Sequence, residues 1–131
     1  MMTYTKLLQF NTFEERLNYL KLDDGLFEQT NHFRTSLQKF YKSSDWLRTR
    51  KNVIVRDYGL DLGLVEISGR IIVHHMNPIT PIGLLRHPDI YLDPEFLITV
   101  SHRTHQIIHY GVEGTSVVAP SERYQGDTRL W

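Results

Sequence analysis

Two patterns of apolar residues divide this chain: stripes spaced by three, four and seven residues, which predict helices, and short continuous runs, which predict buried strands. Thr12-Phe13-Glu14-Glu15 has the form of a capping box. It predicts a helix to about residue 20 with Phe13, Leu17 and Leu20 on one side. Asp23-Asp24-Gly25 marks a turn, and the weak pattern over 26–36 predicts mostly loop, with a short helix over about 35–41. Ser43-Ser44-Asp45 caps a second helix reaching about residue 57, with Trp46/Val53 and Leu47/Ile54 as its apolar stripe and Tyr58-Gly59 as its stop. Residues 62–67 and 70–76 follow as short strands separated by Ser68-Gly69, the second rich in β-branched residues and ended by Pro78. Thr80-Pro81 supplies the cap and first position of a short helix that closes before Pro88. After the Asp93-Pro94 break, 96–100 forms a third strand leading into a helix capped by Ser101 and stopped at Gly111. Beyond Gly111 no periodicity remains, which predicts an irregular tail docked by Trp131.

Composition narrows the class more than the function. With 131 residues, 40% apolar and 23% charged, the chain suits one ordinary domain. No apolar run approaches the roughly 18 residues a membrane span needs, and no basic-then-apolar leader opens the chain. Without cysteine there is neither a disulfide nor a thiolate zinc site, in keeping with a cytoplasmic address. Net charge is zero with histidine neutral, but it is unevenly spread. Between residues 39 and 56 stand six cations, Lys39, Lys42, Arg48, Arg50, Lys51 and Arg56, against the single acid Asp45. Such a segment can hold a phosphate backbone in a neutral protein; it can equally be a solvated helix face.

The candidate chemistry lies in the histidines. Five of seven fall in Val73-His74-His75-Met76 and in the stretch from Ser101 to His109. Adjacent strand residues point in different directions, so one of His74 and His75 is available to a metal while the other is available to a proton. On the following helix His102, His105 and His109 share a face, and His105 and His109 have the i, i+4 spacing of a metal-binding pair. One strand histidine and two helical ones would make a three-imidazole site with positions open to water or phosphate, a form suited to catalysis.

Taken together, His74-His75-Met76-Asn77-Pro78, Leu92-Asp93-Pro94-Glu95, the strand to Val100, and His105 and His109 resemble the HNH endonucleases, most closely those of bacteriophages and prophages. The likeness spreads to the basic segment from Phe40 to Asp57 and is densest over 40–111. The resemblance implies an α+β fold with a ββα-metal (His-Me finger) HNH core over 40–112. It also implies an N-terminal helical extension over 1–39 and a mostly irregular tail over 113–131. It further implies a phage-encoded, single-metal DNA endonuclease working in the host bacterial cytoplasm, with one divalent ion (Mg, Mn, Ni or Zn). His74, His105 and His109 would be the ligands and His75 the general base. Arg48, Arg50, Lys51 and Arg56 would contact the DNA backbone, and His102, Arg70 and Arg103 the phosphate or metal. The family's central asparagine falls at Phe96, and Asn77 is the candidate substitute for orienting the base. The alternative class is an accessory of phage DNA packaging that works beside terminase subunits, its metal structural. A hydrolase of small phosphoesters is a third option that leaves the basic segment unused.

Overall fold

The computed structural model describes residues 1–21 and 30–111 and has an α+β architecture. The expected turn at 23–25 and the tail with Trp131 lie outside the described residues. Four helices come first: α1 (Tyr4–Leu7), α2 (Phe13–Leu20), α3 (Asn31–Lys42) and α4 (Ser44–Arg56). Strand β1 (Ile71–His75) follows, then α5 (Pro81–Arg86), strand β2 (Leu97–Ser101) and α6 (His102–Tyr110).

Local chemistry accounts for most boundaries. The capping box of α2 is formed in both directions between Thr12 and Glu15. Thr30, Ser43, Thr80 and Ser101 each accept a backbone N–H of the helix they open. Pro81 stands in the first turn of α5, and Gly111 ends α6 at φ 90°. Two helices exceed expectation. α1 is capped by Thr3, and α3 begins at Asn31 rather than near residue 35, with Phe33, Leu37 and Tyr41 buried one turn apart.

The strand expected over 62–67 is absent, and the reason is backbone conformation. Leu62 and Gly63 both have positive φ, at 54° and 74°, which closes the chain into a turn. Asp61 and Val65 bond across that turn, and Leu62 is fully buried beneath it. Of the apolar run only Leu62 is buried; Leu64 and Val65 are exposed on the outside of the turn.

β1 and β2 pair antiparallel with Ile71 opposite Ser101 and His75 opposite Leu97. Alternation gives the hairpin two apolar faces. Ile72, Ile98 and Val100 join Leu7, Leu20, Leu62, Met76 and Ile108 in one core. Val73 and Leu97 join Phe33, Leu37, Tyr41, Trp46, Val53, Ile79 and Tyr91 in the other. The hairpin is thus a middle layer, with α1, α2 and α6 on one side and α3 and α4 on the other. Residues before position 40 contribute to both cores, and the boundary expected at 39/40 falls inside α3.

Edge groups of β2 are also satisfied. Asp57 accepts the backbone N–H of Thr99 at 2.9 Å, and Asp61 accepts that of Ser101 at 3.1 Å. The Thr99 carbonyl accepts from Leu62 N at 2.8 Å. The 57–65 loop so occupies the open edge of the sheet, where unpaired groups would otherwise template aggregation.

Candidate metal centre

Strand alternation decides how the histidines are shared out. His74 lies on the α6 side of β1, and α6 passes directly over it. The His74 ring centroid is 5.4 Å from those of both His105 and His109, which are 4.7 Å from each other. One ring nitrogen from each of the three falls within 4.8 Å of the other two. His74 and His105 are buried and His109 is half-buried.

These residues fit a metal ion by their chemistry and nearly by their geometry. Neutral imidazoles suit zinc, nickel and similar ions. A tetrahedral ion about 2.0–2.1 Å from each nitrogen would hold them roughly 3.3 Å apart. With the nitrogens within 4.8 Å of one another, the three rings need to close by up to about 1.5 Å to reach that spacing. Three protein ligands leave at least one position for water or substrate.

His102 shares the helical face yet stands outside the cluster. It is about 10 Å along the axis from His109 at ~1.5 Å per residue, and its exposed ring lies 3.3 Å from the Gln106 amide nitrogen. Arg70 and Arg103 are exposed and flank the open end of the hairpin, where Ile71 faces Ser101. That end is about 10 Å along β1 from His74.

His75 takes the opposite side of the strand and is 2% exposed. Its ring stacks on Trp46 at 5.0 Å and 21° and is edged by Tyr91, Phe40 and Tyr41. His75 Nε2 is 2.9 Å from the Tyr91 carbonyl, which can only accept, so Nε2 carries the proton. Asn77 does not reach the histidine: its amide accepts from Met2 N and donates to Met2 O, both at 2.8 Å, pinning the N-terminus to the end of β1. At the position where the family asparagine was expected, the Phe96 carbonyl accepts from Met76 N at 3.0 Å.

The basic helix divides as well. Lys51 and Arg48 are exposed, and Arg48 pairs with Asp45 at 3.2 Å. Arg50 is half-buried, donates to the Ile71 carbonyl at 3.2 Å, and has its pKa lowered by burial. Arg56, expected to contact the DNA backbone, is engaged within the chain. Its guanidinium forks onto the buried Asp57 at 2.8 and 3.1 Å and donates to the carbonyls of Pro94 and Leu97. It also lies 3.6 Å over the Tyr4 ring. With three of its nitrogens so engaged, Arg56 is a brace. Beside it, Glu95 accepts from Thr5 N at 2.9 Å, and its pKa is lowered by hydrogen bonding to Thr5 and by the charge of Arg56.

Sequence reasoning missed Asp57, Asp61 and Arg16. Arg16 is buried and donates to the carbonyls of Phe10 and Leu62, holding the positive-φ turn in place. Nothing local in Asp61-Leu62-Gly63 announces that its carboxylate will meet a strand forty residues on. No protein-family model, curated protein or solved structure matches the chain.

Proposed function

We propose that this chain is a phage-encoded, divalent-metal-dependent DNA endonuclease of the HNH type, built on the ββα-metal arrangement its histidine motifs resemble. The observation that carries the proposal is the convergence of His74, His105 and His109 where an antiparallel hairpin runs directly into a helix. When bound there, the ion would polarise a phosphoryl oxygen and neutralise charge that develops as the phosphodiester breaks.

The chain's own residues supply the remainder. His75 follows the ligand His74 in the strand, and the Tyr91 carbonyl holds its proton on Nε2. In this reading His75 takes a proton from the attacking water and the product keeps a 5′ phosphate. Arg70 and Arg103 hold the flanking phosphate. Arg48 and Lys51, the exposed cations of α4, hold the backbone without reading sequence.

A second reading is a terminase-associated accessory of DNA packaging whose metal is structural. The observation in its favour is the burial of His75 among Trp46, Tyr41, Phe40 and Tyr91. Supercoiled plasmid incubated with Mg, Mn, Ni or Zn separates the two. The endonuclease should cut with at least one metal and stop with chelator. His74→Ala should lose metal and cleavage together. His75→Ala should keep the metal but slow cleavage by about 10²–10⁴-fold. Parental cleavage by His75→Ala would remove that residue from the base role. Metal binding with no cleavage until a terminase subunit is added would support the accessory.

A further inference from the structure

We infer that Asp61 is the positioning residue of the three-histidine centre, acting through Thr104 on the placement of α6; the inference rests on the reading of that centre as a metal site. Asp61 is 6% exposed, and its two oxygens take different partners. Oδ1 accepts from the backbone N–H of Ser101, the last residue of β2, at 3.1 Å. Oδ2 accepts from the hydroxyl of Thr104, in the first turn of α6, at 2.6 Å. Ser101 Oγ in turn lies 3.1 Å from Thr104 Oγ1 and accepts from Thr104 N at 3.0 Å. One carboxylate therefore grips both sides of the strand–helix junction.

The consequence for the site is geometric. Thr104 immediately precedes His105, and both are buried. His74 sits on β1, which is paired to β2, so the angle at which α6 leaves β2 sets the distance from His74 to His105 and His109. No cysteine or carboxylate joins the three imidazoles among the described residues, so the helix angle is the main control on whether their nitrogens can close on an ion. The Asp61 backbone is fixed independently by its bonds across the turn to Val65, and the turn is held by Arg16 and by the Thr99 carbonyl. A negative charge on the first turn of α6 also suits the helix dipole. Asp61 touches no histidine among its hydrogen bonds; it acts through the helix.

The test uses the full chain and cobalt(II), whose visible absorption reports ligand geometry, with zinc competition for affinity. Thr104→Val keeps shape and loses the hydroxyl, whereas Thr104→Ser keeps the hydroxyl. Asp61→Asn can accept from one partner only. Asp61→Asn and Thr104→Val should each weaken metal binding about tenfold and alter the cobalt spectrum. Both should do so at a temperature where circular dichroism shows them folded. Thr104→Ser should stay within about twofold of the parent, and the Asp61→Asn/Thr104→Val pair should be little worse than either alone, because both remove one bond. If His74→Ala binds cobalt as the parent does, the metal-site reading itself fails. If His74→Ala loses cobalt while folded Thr104→Val matches the parent in affinity and spectrum, the positioning role is overturned.

Discussion

Replacing Arg56 with alanine separates a brace from a DNA contact. The substitution leaves Asp57, which is 2% exposed, as a buried carboxylate that among the described residues keeps only the Thr99 N–H as a partner. Removing one member of a buried ion pair costs about 3–5 kcal/mol. The Arg56 side chain is 23% exposed, so water reaches part of the gap and the lower end applies. The contact over Tyr4 adds about 0.5–1 kcal/mol, and the Pro94 carbonyl, being at the surface, recovers a bond from water. Because the terms share one side chain they do not simply add, and a net loss of about 3 kcal/mol is expected. For a domain of this size that lowers the melting temperature by about 10–15 °C. Urea unfolding of parent and variant measures the loss directly, and the salt dependence of DNA binding supplies the contrast. Arg56→Ala should leave the salt slope unchanged, whereas Lys51→Ala should reduce it by about one. A stability change below about 1 kcal/mol combined with a reduced salt slope for Arg56→Ala would refute the reasoning.

Two other outcomes follow from the same contacts. Glu95 has a folded pKa below the ordinary value of about 4.3, so its contribution to stability is full above that value and is lost as pH falls through the lower folded one. Glu95→Gln should therefore flatten the acid limb of the stability curve, with an effect at pH 7 under about 1 kcal/mol because the group is solvated. Trp46 is fully buried between Phe40, Tyr41 and His75, and Trp46→Ala should cost about 3–5 kcal/mol in chemical denaturation, with Trp46→Phe recovering most of it.

What the sequence determined by itself was mostly local. A cap is a contact between residues three apart, so Thr12, Ser43, Thr80 and Ser101 could be read directly, as could the helical register that puts His105 and His109 together. The strand at 71–75 was legible because β-branched residues and Pro78 bound it within a few positions. The α+β class follows from those elements. The 62–67 run misled because apolar content was taken for burial in a strand, whereas only Leu62 is buried and the positive φ of Leu62 and Gly63 turns the chain.

Only the tertiary structure decided how those pieces are used. Register and alternation put His74 under α6 and His75 against Trp46, and the two faces could not be assigned until the layers were known. Arg56, Asp57, Asp61 and Asn77 all have polar side chains of the kind found on surfaces or at functional sites. Their roles come from partners up to 75 residues away along the chain, as between Asn77 and Met2. A side chain's charge is written in the sequence; whether that charge meets solvent, a ligand or a buried backbone group is settled by which distant segment packs against it.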